Sequence, residues 1–385
     1  MPGFEVIGEE EYKEIRDLFE NSKILFRHGF DKIRNDIYKV RDFEKKFSEK
    51  FNIPDALAVS SGTAALKVAL KALDIGKGDE VITQAFTFVA TVESIVEVGA
   101  KPVIANIDKS LNISPADIEL KITNKTKAII VVHMLGIPSD MTAVMKIANK
   151  YKIKVIEDTA WGCGGTYNDQ YLGTIGDLGT FSFDFAKTIT TGEGGMVVAK
   201  DPKILESAKA YHDHGHENNP LLPRWEDSRS RSGFNYRMTE MQGAVGLAQL
   251  KKLDYIIASH QKNKQAIIEK IKDLPLTFRE KPVKFEDTSD ALIFYVKDKF
   301  TALRCRENLL SNGISTKILP EAYTWHFAGT WKHIPELYDN WDEFENSLQN
   351  SKQIISKAVS LPISVSLGKD HLNIIYKSIK DACTN

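Results

Sequence analysis

Between about residues 55 and 200 the chain alternates short β-rich apolar runs with stretches of helical periodicity, and this alternation restricts the fold more than any other feature. Strands are predicted over 56–59, 80–83, 103–106, 128–133, 154–158, 180–183 and 195–199, with helices over 63–73, 87–98 and 140–151. Strands separated by helices cannot pair as hairpins. They form a mostly parallel sheet covered on both faces, an α/β architecture in which ligands gather at the carboxyl ends of the strands.

Beyond this region the pattern changes. Residues 212–235, HDHGHENNPLLPRWEDSRSRSGFN, are polar and rich in turn formers and read as a long loop. Residues 238–272 carry long helical periodicity, expected to be broken once. A boundary near 258–275 divides a large domain, 1–260, from a smaller α+β domain, 261–385. The segment 1–50 is a candidate for substrate contact.

Lys and Arg total 51 against 52 Asp and Glu, which argues against a general nucleic-acid binder. Cys163, Cys305 and Cys383 are dispersed and odd in number, so neither a disulfide framework nor a zinc cluster is expected. The acidic start is unlike a signal peptide, and no apolar run approaches the roughly 20 residues that span a bilayer. A cytoplasmic protein without a membrane partner is expected.

Four local patterns fall at strand ends or helix starts. In Ser60-Ser61-Gly62-Thr63 a strand gives way to a helix, and a helix N-terminus with a close-approaching glycine suits a phosphate; the same residues equally make a plain N-cap. Glu157-Asp158 closes an apolar strand; a carboxylate there can pair with a protonated pyridine nitrogen, cap a helix or ligate a metal. Lys187 stands alone in the hydroxyl- and glycine-rich stretch SFDFAKTITTGEGG, five residues past Ser182. Burial would lower its pKa and suit it to a Schiff base. Asn235 and Arg237, just before the long helix, are anion donors or a helix entry. Each pattern alone is a weak or moderate signal; their order along one chain is strong.

With these residues in place the chain resembles the DegT/DnrJ/EryC1/StrS sugar aminotransferases, through SSGTAAL, FTFVAT, the strand-end ED, SFDFAKTITTGEGG and GFNYRMTEMQGAVGLAQLKKLD. The resemblance implies a fold-type I, pyridoxal-phosphate-dependent transferase with a mostly parallel seven-stranded sheet. It implies that Lys187 is the Schiff-base lysine and proton shuttle and that Asp158 holds the pyridine nitrogen. Gly62, Thr63 and Ser182 would bind the phosphate, and Phe88 would stack on the ring. Asn235 would reach the phosphate of a neighbouring subunit, so a homodimer is expected. Trp161 stands where many relatives have Gln, and its indole N–H is expected either to donate to the cofactor or to reshape the pocket. Retention of Lys187, where some relatives carry His and act as dehydratases, favours transamination.

FRHGFDKIRNDIYKVRDFE, YHDHGHENN and WHFAGTWKHIPEL further resemble a branch that makes 8-amino-3,8-dideoxy-manno-octulosonate for lipopolysaccharide. The expected donor is glutamate, released as 2-oxoglutarate. Arg27, Arg34 and Arg41 are candidates for the sugar carboxylate, or members of a solvated face; His212, His214, His216 and His326 are candidates for the sugar. The HDHGHE cluster lacks cysteine partners and is not expected to bind metal. Two other readings stand beside this one: the same chemistry on a nucleotide-linked keto sugar, and a non-catalytic cofactor-binding scaffold. An NAD-dependent oxidoreductase lacks its G-x-G-x-x-G after the first strand.

Overall fold

The computed structural model describes residues 3–219 and 221–384. Seven strands form the main sheet: β1 (Leu57–Val59), β2 (Glu80–Gln84), β3 (Lys101–Ala105), β4 (Thr126–Val132), β5 (Lys154–Asp158), β6 (Leu178–Ser182) and β7 (Gly195–Ala199). Their order is β1-β7-β6-β5-β4-β2-β3. All pairings are parallel except those of β7, which runs antiparallel to both β1 and β6. The loop 183–194 between β6 and β7 carries no helix, and the chain reverses in it to return antiparallel. Strand β4, TKAIIVV, is buried at six of its seven positions, as expected of a parallel strand covered on both faces.

Helices and strands fall where the sequence places them, within a few residues. The helix Gly62–Ala72 opens with Ser61, whose side chain accepts from the Ala64 N–H at 3.0 Å. The helix Met141–Tyr151 opens on Asp140 in the same way.

One expectation is corrected. The periodicity over 238–272 is one unbroken helix, Glu240–Ile271, started by a Thr239/Gln242 capping box. It ends inside the 258–275 interval expected to hold the domain boundary. Its glycines let another helix, Lys39–Phe51, lie close: a Cβ on Gly243 would fall 2.6 Å from the Val40 nitrogen, and one on Gly246 2.7 Å from the Phe43 ring.

Past that helix, Ala291–Tyr295 pairs antiparallel with Thr277–Phe278 on one side and Ala358–Pro362 on the other. Helices Lys299–Ser311 and Lys369–Thr384 pack beside this sheet. A separate apolar cluster runs from Phe86, Val132 and Trp161 to Ala291, Ile318 and Phe327, so the C-terminal part is bonded by its core to the main sheet. No helix among the described residues is long and apolar enough to cross a membrane.

Candidate active site

A cavity of about 470 Å³ opens at the carboxyl ends of β5 and β6. Asp158 ends β5 and Ser182 ends β6. Between them and the opposite wall lie Gly62, Thr63, Thr87, Phe88, Thr91, Trp161, Lys187, Glu193, Trp325 and His326. Eight residues singled out from the sequence, Gly62, Thr63, Phe88, Asp158, Trp161, Ser182, Lys187 and His326, thus share one cavity.

Asp158 is held without being neutralised. Its Oδ2 accepts from Thr91 Oγ1 at 2.9 Å and its Oδ1 from the Ala160 N–H at 3.2 Å. Thr91 is in turn bonded to Thr87 at 2.8 Å. Burial raises the Asp158 pKa, while these two donors, Lys187 and His133 pull it down. A buried carboxylate on neutral donors is suited to a further cationic partner. Neighbouring Glu157 is engaged elsewhere, with His133 Nε2 at 2.9 Å and the N–H groups of Gly173, Ile175 and Gly176.

Lys187 sits in a loop folded by its own neighbours. Its N–H donates to the Asp184 carbonyl at 3.0 Å, and Thr191 N–H to the Phe183 carbonyl at 2.9 Å. Gly192, at φ +81°, completes the reversal into β7. The GEGG tail is therefore a turn that aims the lysine. Burial brings the Lys187 pKa down to about 8, against the pull of Asp184 and Asp158 and with the help of Lys317.

The phosphate corner passes a steric test. A Cβ on Gly62 would lie 2.6 Å from Ser182 Cβ and 2.9 Å from its Oγ. Only glycine lets the helix N-terminus approach β6 closely enough to bring its amides, Thr63 and the Ser182 hydroxyl to one point. These residues fit pyridoxal phosphate: Gly62, Thr63 and Ser182 for the phosphate, Asp158 for the ring nitrogen, Lys187 for the carbonyl carbon.

Trp161 lines the cavity and presents its ring face to Lys187, whose Nζ lies 3.5 Å from the ring centroid. Thr87, Thr91, Trp325 and Lys317 were missed from sequence. Thr91 had a signal: it lies three residues past Phe88, on the same side of the first helical turn.

The other candidates lie outside the cavity. Arg27 is buried, donating to the Ala58 carbonyl at 2.9 Å and pairing with Glu44 at 2.7 Å. Arg34 is fully buried, pairs with Glu240 at 3.0 Å and donates to the Ile37, Phe26 and Gly29 carbonyls. Both are buried in ion pairs, not on a solvated face. Arg41 is exposed and stacks on Tyr38, 4.0 Å from its ring centroid. His212 is bonded to the Lys209 carbonyl, His216 to Asp227 at 3.1 Å, and His214 is exposed at φ +55°. Asn235 is exposed, and its Oδ1 accepts from the Arg237 N–H at 3.3 Å. The loop that carries them is zipped at both ends by bridges Asp213–Asn235 and His216–Arg229.

Comparison with known proteins follows this geometry. Residues 22–380 match the DegT/DnrJ/EryC1/StrS aminotransferase family. The chain belongs to this family. It is 30% identical to the spore coat polysaccharide biosynthesis protein SpsC of Bacillus subtilis, across 98% of this chain and 95% of that one. It is 44% identical to the GDP-perosamine synthase of Escherichia coli O157:H7 over 220 residues, which span 57% of this chain and 59% of that protein. Among solved structures it resembles an aminotransferase from Psychrobacter cryohalolentis, at TM-score 0.85 and 29% identity, covering 98% of both chains. It also resembles 3-amino-5-hydroxybenzoic acid synthase, at TM-score 0.85 and 25% identity, over 98% of this chain and 97% of that one. Its cofactor is pyridoxal phosphate.

Proposed function

We propose that this family member moves an amino group from glutamate to the carbonyl carbon of a sugar, and that the acceptor is the 8-oxo carbon of a 3,8-dideoxy-manno-octulosonate. The observation that carries the transamination is the meeting of the Lys187 amine and the unneutralised Asp158 carboxylate in one cavity, beside a phosphate corner that only Gly62 permits.

Pyridoxal phosphate supplies the electron sink that makes the donor's α-proton acidic. The chain's residues supply the rest. With a pKa near 8, Lys187 Nζ is partly free amine at neutral pH, so it can take that proton and return it one atom away. Asp158, held by Thr91 and the Ala160 N–H at the end of β5, would face the ring nitrogen of the cofactor. Phe88, flanked by Trp325 and His326 at ring centroid distances of 6.1 and 5.4 Å, narrows the entrance and limits water.

The octulosonate is supported by the segments quoted above, of which WHFAG contributes Trp325 and His326 to the cavity. A second reading, a nucleotide-linked keto sugar, is favoured by the GDP-perosamine synthase relative. Among the described residues lining the cavity Lys187 is the sole Lys or Arg, beside Asp158, Asp184 and Glu193; a diphosphate would need more cations than this. The proposal includes a homodimer in which Asn235 faces the partner's phosphate. Exposed Leu221, Trp225 and Phe234 on the same loop support an apolar contact there. Three unpaired cysteines are in keeping with a reducing cytoplasm.

The test is absorbance of the protein loaded with cofactor. A visible band that glutamate bleaches, with 2-oxoglutarate released, is expected; no band sinks the assignment of Lys187. An 8-oxo octulosonate and a GDP-linked 4-keto sugar then compete as acceptors, and preference for the latter overturns the octulosonate.

A further inference from the structure

Trp161 is fixed from a distant part of the chain. Its carbonyl accepts from Thr288 Oγ1 at 3.1 Å. Thr288 reaches it across Gly136, where at φ +78° a Cβ would collide with the threonine hydroxyl. Lys317 Nζ lies 4.8 Å from the indole ring centroid and is itself anchored by Asp290 Oδ2 at 2.6 Å, both groups buried. The Trp161 backbone is thus anchored, and its indole is nearly buried, 9% exposed, within the apolar cluster that joins the C-terminal part to the main sheet. Against the indole rests the amine of the one lysine in the cavity, 3.5 Å from the ring centroid.

The face of an indole attracts an ammonium, and more strongly where water is excluded. A lysine that links to a cofactor and is released from it in each half-reaction must be parked within reach while free. We propose that Trp161 is a positioning residue for Lys187: its ring face holds the free lysine as an ammonium inside the cavity. This rests on the reading of Lys187 as the cofactor-linking lysine.

The other charged and titratable groups facing Lys187 come from several elements. They are Asp184 on its own loop, Asp158 at the end of β5, Lys317 and Asp290 from the C-terminal part, and His326 on its short helix, with Glu193 in the same cavity wall. A change at Trp161 replaces none of these residues; of them Lys317 also meets the ring, and it stays anchored by Asp290.

The experiment uses the cofactor-free protein. Amines are labelled with trinitrobenzenesulfonate across a pH series, and the peptide bearing Lys187 is quantified by mass spectrometry. Trp161→Leu and Trp161→Gln both remove the ring, and either one, folded by circular dichroism, decides the matter. Loss of the ring should lower the midpoint of Lys187 labelling by up to about one pH unit. Trp161→Phe, which keeps a weaker face and lacks the indole N–H, should fall between. A purely structural tryptophan predicts the reverse, since water entering its space would favour the ammonium and raise the midpoint. An unchanged or raised midpoint overturns the proposal. The cofactor assignment is judged separately: absence of the visible band in unaltered protein refutes it and leaves the labelling result standing.

Discussion

The cavity at the ends of β5 and β6 and the charged knot beneath residues 212–237 are made of the same kinds of side chain, but they pair their charges differently. In the knot, Asp213 binds Arg224 and Arg237, each at 2.5 Å, and faces His28 at 3.2 Å, while Arg27 and Arg34 close on Glu44 and Glu240. Every one of these carboxylates already has a cation. In the cavity, Asp158 has only neutral hydrogen-bond donors, and the Lys187 amine rests on an aromatic face. Paired charges fasten a segment; unpaired ones that converge on open space are available to a ligand.

The largest effect that would sharpen this contrast is at Lys187. Lys187→Ala should stay folded and lose at least about a thousandfold in transamination, the worth of a base that is also the covalent anchor. Retained turnover would end the comparison. Next comes the knot. Arg34→Met leaves Glu240 buried without its cation and should lower stability by about 3–5 kcal/mol in urea unfolding, while protein that remains folded keeps its visible band. Loss of the band without loss of stability would return Arg34 to the active site.

Asp158→Asn should come third. It keeps the shape and removes the charge, with about a hundredfold loss in turnover from one charged hydrogen bond and little change in unfolding. A pH series then separates the regions again. Burial holds His28 near a pKa of about 2 and His212 near about 3, against about 6.5 in the unfolded chain. Both are therefore neutral in the folded protein, and the unfolded state gains protons first. Stability should be level above about pH 6.5 and fall below it, by up to about 1.4 kcal/mol per pH unit for each histidine. His28→Gln should flatten that acid limb; an unchanged limb would show that His28 is not held neutral. The smallest effect belongs to Arg41, exposed and merely stacked on Tyr38: Arg41→Ala should change stability by less than about 0.5 kcal/mol and leave the KM for the sugar alone.

Much of the cavity was legible in the sequence because it is assembled from short continuous motifs. Gly62-Thr63, Glu157-Asp158 and SFDFAK each sit at a strand end, and a parallel sheet brings strand ends together whatever else the chain does. Arg27, Arg34, His212 and His216 carry side chains suited to a sugar carboxylate, but each is already engaged: the histidines within their own segment, by the Lys209 carbonyl and Asp227, and the arginines by carboxylates farther along the chain. Arg34 closes on Glu240 across most of the main sheet's sequence, and nothing near Arg34 announces it. The helix Glu240–Ile271 is unbroken where one break was expected, and its two inward glycines are where Lys39–Phe51 packs.

What the sequence determined by itself was the alternation that makes the sheet and the residues that stand at its strand ends, because periodicity and capping act over a few neighbouring residues. Only the tertiary structure decided which charges are already satisfied. Whether an arginine or histidine is free for a ligand depends on carboxylates and carbonyls brought up from distant segments. The same holds for Trp161, which becomes a plate for Lys187 only because Thr288 and Lys317 fold back on it.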